Sequence, residues 1–152
     1  MQPLEIVPYQ SEYWAQMMEI HDAARLMELQ QAGLIEAFIP LAEAAENENL
    51  FEYTLRIALL DGAVVGFVAY SEDELAWLYV NPKQMRKGIG RQLIQYVLDN
   101  NSHRPITVEV LMGNAPAIAL YESMGFQTME IASGFMPGNE SFAVSAHIMQ
   151  LT

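Results

Sequence analysis

The stretch from Leu75 to Leu98 constrains this chain most. It opens on an apolar run, Leu75-Ala76-Trp77-Leu78-Tyr79-Val80. That run is too short for a helix and is rich in residues that suit a strand. Asn81-Pro82 ends the strand. After Gly88 and Gly90 the period changes. Ile89, Leu93 and Val97 recur at i, i+4, i+8, with Ile94 and Leu98 beside them, which predicts a helix. A strand therefore runs through a short loop with two glycines into a helix.

The first turn of a helix leaves backbone N–H groups without partners, and its dipole adds partial positive charge there. Glycine lets a phosphate approach those amides closely. Four of the seven Lys and Arg residues (Lys83, Arg86, Lys87 and Arg91) fall in this loop, in a chain of net charge −12. Cations gathered at one helix start point to a polyanionic ligand, although a solvated basic connection has the same spacing. The loop is not a P-loop, because G-x-x-x-x-G-K-[ST] is absent. It is not the dinucleotide fingerprint either, because the third glycine position is Leu93.

Leu78-Tyr79-Val80-x-Pro82, followed by Arg86-Lys87-Gly88-Ile89-Gly90-Arg91, resembles the acetyl-CoA loop of the GNAT N-acetyltransferases (Q/R-x-x-G-x-G/A). Asn114-x-x-Ala117-x-x-x-Tyr121-x-x-x-Gly125-Phe126 is similar to that family's later helix and the turn after it. One position departs: the family usually carries Gln or Arg where this chain has Met85, between Gln84 and Arg86. Backbone amides do most of the pyrophosphate binding in such loops, so binding is expected to persist. The resemblance implies a layered α/β (α+β) fold, a mixed six- to seven-stranded sheet with about four flanking helices.

The 152 residues are expected to form a single domain, 1–152. The acidic balance argues against nucleic acid as a partner and favours cationic substrates through long-range attraction. There is no cysteine, which excludes disulfides, thiolate metal sites and a cysteine nucleophile and suits a cytoplasmic protein. No metal spacing links His21, His103 and His147. The N-terminal stretch lacks a signal-peptide pattern, and no apolar run reaches the roughly 18 residues of a membrane span.

The rest of the chain reads in order. Leu4 to Val7 is a short strand. Ser11 is placed to cap a helix reaching Gln31, with His21 and Arg25 on one face. Leu34 to Asn47 reads as a second helix with an acidic end at Glu43, Glu46 and Glu48. Glu52 to Leu60 and Ala63 to Tyr70 are strands around the tight turn Asp61-Gly62. Ile106 to Leu111 is a strand and Ala117 to Met124 a short helix. Phe126 to Met136 and Phe142 to Leu151 form a closing hairpin around Pro137-Gly138-Asn139-Glu140. That hairpin is compatible with a homodimer contact.

The resemblance then implies a site. The backbone of Leu78, Tyr79 and Val80 would bind the pantetheine arm and supply the oxyanion donor, and the amides from Arg86 to Arg91 would hold the pyrophosphate. Asn114 and Ala117 would flank the arm. Tyr121 would be the general acid for the thiolate. Glu74, four residues before Leu78 and so on its face by alternation, is the carboxylate that could act as base through water. Phe38, with Glu36 near it, and Trp77 or Tyr79 are expected at the acceptor, the last two if a bulge reverses the strand's phase. The activity implied is transfer of an acetyl group from acetyl-CoA, without a metal, to a small cationic amine. A catalytically silent CoA-binding domain and a peptide or protein amine acetyltransferase are the alternatives.

Overall fold

The computed structural model describes residues 4–136 and 139–152. Strands β1 (Glu5–Pro8), β2 (Thr54–Leu60), β3 (Ala63–Tyr70) and β4 (Leu75–Val80) form one antiparallel sheet in that order. Strands β5 (Ile106–Leu111), β6 (Gln127–Met136) and β7 (Asn139–Leu151) form a second, with β7 in the middle. Helices α1 (Trp14–Gln31), α2 (Leu41–Asn47), α3 (Ile89–Asn100) and α4 (Ala115–Ser123) cover them. Of the turn expected between the last two strands, Pro137 and Gly138 lie outside the described residues.

Local chemistry explains most of these elements. Asp61 and Gly62 have φ of 52° and 80°, the left-handed pair that a two-residue hairpin demands. β3 is buried along nearly its whole length, as its unbroken apolar run requires. No glycine or proline interrupts 14–31, so α1 is one continuous helix. Ser11 starts a 3-10 turn ahead of it and makes no side-chain cap. The helix expected over 34–47 is split. Pro40 lacks an N–H and pushes the residue before it out of the helical region. A 3-10 turn over Ile35–Ala37 therefore ends in extended chain, and α2 starts at Leu41. Asp22 Oδ1 on α1 accepts the Leu41 N–H at 2.9 Å, so α2 is capped from a different helix.

Two cores form, one on each face of the first sheet. Ile89, Leu93, Ile94 and Val97 of α3 and Tyr121 of α4 pack with Val65, Val68, Leu75, Ile106 and Val108. Met17 and Ile20 of α1 and Leu41 and Ala44 of α2 pack with Ile57, Phe67 and Trp77 on the other face. Each fully buried leucine or isoleucine contributes about 1.5–3 kcal/mol.

The mixed sheet expected from the sequence is two sheets joined at one point. Glu74 and Thr107 make a parallel bridge, and Thr107 N–H donates to Asp73 C=O at 2.9 Å. Beyond that point β4 and β5 have no ladder between them among the described residues. They splay, and a cavity opens in the gap.

Candidate active site

β4 is shaped for this gap by a bulge. Tyr70 pairs with Leu75 and Ala69 with Trp77, so Ala76 is the extra residue. The bulge shifts the strand's phase. Leu75, Leu78 and Val80 lie with the α3/α4 core, and Trp77 and Tyr79 with the α1/α2 core. Glu74 therefore does not share the face of Leu78, as simple alternation implied. It reaches Tyr53, whose hydroxyl donates to Glu74 Oε1 at 2.9 Å and whose other contacts are in the α1/α2 core. β3 accommodates the bulged strand at Gly66, where an added Cβ would lie 2.8 Å from the Tyr79 carbonyl oxygen.

At one end of the gap is the basic loop. Asn81 Oδ1 accepts the Lys83 N–H at 3.0 Å and starts a 3-10 turn over Pro82–Gln84. Arg86 and Gly88 both take positive φ, 67° and 76°, and Gly88 is the N-cap of α3. This winding leads the chain directly into the first turn of α3 at Ile89. The space around a Cβ at Gly88 is open. Gly90 is tight, with Leu120 Cδ2 3.2 Å from its Cβ position. Met85, Arg86, Lys87 and Arg91 are exposed. Lys87 Nζ donates to Gln84 Oε1 at 2.8 Å, and Arg91 Nη2 donates to Ser123 Oγ at 2.7 Å, tying α3 to α4.

Within the gap lies a cavity of about 330 Å³. Leu78 and Tyr79 of β4, and Asn114, Ala117 and Tyr121 at α4, line it, as does Trp77. Phe38 does not; it packs beside Leu29, Ala37 and Met136, and Ile39 takes the cavity wall. Glu36 is exposed, and Val80 is also outside the wall.

α1 supplies a polar edge. His21, Arg25 and Glu28 recur at i, i+4, i+7 on one face and all line the cavity. Glu28 is the hub. One oxygen pairs with Arg25 Nη1, and Oε2 accepts from Asn114 Nδ2 at 2.7 Å. Asn114 Oδ1 in turn accepts the Ala117 N–H at 3.3 Å and caps α4. This chain of bonds links α1 on one face of the sheet to α4 on the other, through the gap.

The wall is acidic. Glu28, Glu48, Glu74 and Glu109 face it against the single guanidinium of Arg25. Glu48 follows α2 and is exposed as a residue, yet desolvation at the wall raises its carboxyl pKa; Arg25 opposes the rise and Glu109 adds to it. Burial and the bond to Glu74 push the Tyr53 phenol up to about 12. The phenols of Tyr79 and Tyr121 are pushed well above their ordinary value, by burial first and then by the Glu28 carboxylate. Tyr121 is 4% exposed, with its ring edge-on to Phe126 at 5.3 Å. Its hydroxyl has no protein partner among the described residues. No buried side-chain oxygen is left without one, so that hydroxyl opens on the cavity.

Sequence reasoning missed Glu28, Glu109 and Tyr53. Glu28 had a signal, one turn past Arg25 on the same face. So did Glu109, a charge in phase inside the apolar strand Val108-Glu109-Val110. Tyr53 joins the site only through the bulge. Among the described residues no cluster of three or more His, Asp or Glu could hold a metal ion, and no helix is long and apolar enough to cross a membrane.

Comparison with known proteins follows the same outline. The acetyltransferase (GNAT) domain model matches residues 52–128. The ribosomal protein bS18-alanine N-acetyltransferase of Escherichia coli is 37% identical over 106 residues, covering 64% of this chain and 72% of that one. The peptidyl-lysine N-acetyltransferase YiaC of Escherichia coli is 41% identical over 73 residues, 47% of this chain and 49% of YiaC. The match thus spans about half the length of YiaC. Among solved structures, a GCN5-related N-acetyltransferase from Rhodopseudomonas palustris superposes with a TM-score of 0.80 at 21% identity, over 100% of this chain and 98% of that one.

Proposed function

The chain belongs to the GNAT acetyltransferase family, and on that premise we propose that it moves the acetyl group of acetyl-CoA to a primary amine on a small cationic acceptor. One observation carries the acceptor class: four carboxylates and one guanidinium line a cavity of about 330 Å³ between the splayed strands. An ammonium group is the complementary partner for such a wall.

The two ends of the site divide the work. The pyrophosphate would sit on the amides from Arg86 to Arg91, with Lys83, Arg86 and Lys87 supplying positive field. Each amide–phosphate hydrogen bond contributes about 1.5–3 kcal/mol. The pantetheine arm would extend along the backbone of Leu78, Tyr79 and Val80. Asn81 N–H donates to Val65 C=O, so by alternation Tyr79 also pairs with β3, and the N–H groups of Leu78 and Val80 turn to the β5 side, where no ladder forms among the described residues; one of those two would stabilise the oxyanion. Ala117 would flank the arm. Asn114 would join it after releasing Glu28. Tyr121 would hand its proton to the leaving thiolate, because its hydroxyl opens on the cavity. Glu48, Glu74 and Glu109 would hold the ammonium, beside the aromatic faces of Trp77 and Tyr79. Glu74 would reach the amine through water, since its Oε1 is already engaged by Tyr53.

A second reading has a specific basis. Two relatives are named for protein amines, an alanine of ribosomal protein bS18 and a peptidyl lysine. A peptide would insert only its terminal or side-chain amine into the same wall.

Calorimetry with acetyl-CoA tests the cofactor end, with Gly88→Glu as control. CoA release with spermidine, diamines, an N-terminal alanyl peptide and a lysyl peptide tests the acceptor end. Micromolar binding abolished in the variant, with turnover of a small amine, is the expected result. Turnover of peptides alone would select the second reading. Tight binding with no turnover of any amine would leave a silent CoA-binding domain.

A further inference from the structure

His21 is 2% exposed and is the one buried polar residue among the described residues. Its ring lies against Tyr79, edge-on at 4.6 Å, and 6.0 Å from Trp77. Nδ1 is 2.9 Å from Asp22 Oδ1. A carboxylate accepts, so Nδ1 carries the proton and Nε2 presents its lone pair. Nε2 has no partner among the described residues. Because no buried side-chain nitrogen lacks one, Nε2 meets the cavity that His21 lines. Asp22 is itself fixed, because the same Oδ1 caps α2 through the Leu41 N–H. A carboxylate thus orients a ring whose free nitrogen faces the acidic wall.

We propose that His21, oriented by Asp22, takes the proton of the acceptor's ammonium group directly. The inference rests on the amine acetyltransferase reading of the same cavity. One N–H of the bound ammonium gives its proton to Nε2, leaving an imidazolium paired with Asp22. The freed nitrogen lone pair attacks the thioester carbonyl and forms the C–N bond. The C–S bond then breaks, and the thiolate takes the Tyr121 proton. The adduct nitrogen returns a proton to the Tyr121 phenolate, and the imidazolium releases its own to solvent. The net products are the acetamide, CoA thiol and one proton.

The groups facing His21 are Asp22, Arg25 and Glu28 on its own helix and Tyr79 on β4. Glu48, Tyr53, Glu74 and Glu109 complete the charged and titratable wall. Burial lowers the imidazole's pKa, and Arg25 acts in the same direction against Asp22 and Glu28. The resting ring is therefore held in its neutral form, and the imidazolium formed on proton transfer is stabilised by its pairing with Asp22.

The test uses the intact protein, acetyl-CoA, and spermidine or the N-terminal alanyl peptide, whichever is acetylated. His21→Gln is expected to lower kcat/KM for the amine by about 10²-fold or more, with acetyl-CoA affinity unchanged. The wild-type profile should rise with pH and level off once His21 is neutral. The variant's should keep climbing as free amine accumulates. Asp22→Asn should also lower kcat/KM, because its amide can donate to Nδ1 and turn Nε2 into a donor, while its oxygen remains for the α2 cap. Glu74→Gln and Glu109→Gln should raise the KM of the amine and leave the levelling in place. Activity of His21→Gln within about threefold of wild type, or loss of the levelling in a glutamate variant instead, overturns the role of His21 and leaves the acetyltransferase reading intact. A wild-type protein that acetylates none of spermidine, the diamines, the alanyl peptide and the lysyl peptide overturns both.

Discussion

Replacing Tyr121 with Phe isolates the acid step, because the structure predicts that almost nothing else changes. The ring is buried and packed on Phe126 at 5.3 Å, and Phe keeps that packing. The hydroxyl bonds no described residue and opens on the cavity, so its removal strands no buried partner. Stability should shift by no more than about 0.5 kcal/mol, or about 2 °C in Tm for a chain of this size. Activity should respond very differently. A positioned general acid contributes about 10²–10⁴-fold, or about 2.7–5.4 kcal/mol at about 1.36 kcal/mol per decade. The raised phenol pKa adds a second signature. The acid stays protonated through neutral pH, so Tyr121 contributes no alkaline decline below its ordinary value of about 10. The assay is kcat at saturating acetyl-CoA and amine, beside a thermal melt and acetyl-CoA calorimetry. A variant that melts and binds like wild type but turns over at the wild-type rate would refute the assignment. So would a Tm drop of several degrees, which would mean that the hydroxyl is bonded in the protein.

Gly66→Ala should cost about 1–3 kcal/mol by overpacking, because the Tyr79 carbonyl is backbone and cannot step aside. Gly134→Ala, where nothing lies within 4 Å of the Cβ position, should be near neutral; equal urea midpoints for the two would refute the close-packing account. Asn114→Ala should lower stability by about 1 kcal/mol through loss of the α4 cap, and more if the Glu28 bond is worth keeping in water, as read by urea unfolding. His21 also links stability to pH. Its folded pKa is lowered, so below the unfolded value of about 6.5 the unfolded chain takes up a proton that the folded chain refuses. Its contribution is full above that pH and is lost as pH falls through it, so wild type should lose more stability than His21→Gln between pH 8 and 5.5. Replacing Arg86 and Lys87 together with Ala should raise the acetyl-CoA Kd and flatten its salt dependence, measured by calorimetry at two ionic strengths.

Much of the fold was legible because the signals are local. The change of period from the run at 75–80 to the recurrence of Ile89, Leu93 and Val97 placed β4, the loop and α3. Asp61-Gly62 placed the β2–β3 hairpin, and the buried positions of β5 alternate as written. The errors came where one element answers to another. The helix expected over 34–47 broke at Pro40, and its remnant is capped by Asp22 from α1. The face of Glu74 depended on a bulge, and a bulge is a mismatch between two strands that neither sequence displays alone.

The sequence by itself determined the order of strands and helices, the loop that carries the cations, and Tyr121 on its short helix. These follow from residue type and spacing within a few turns of chain. Only the tertiary structure decided which charged groups share the cavity. Glu28 comes from α1, Glu48 from the chain just after α2 and Glu109 from β5, and nothing in the local sequence says that the three meet. The splay of β4 from β5 beyond a single bridge brings them to one wall. Burial against Trp77 and Tyr79, together with the bond His21 donates to Asp22, turns a histidine on an undistinguished helix into a neutral, oriented group facing the site.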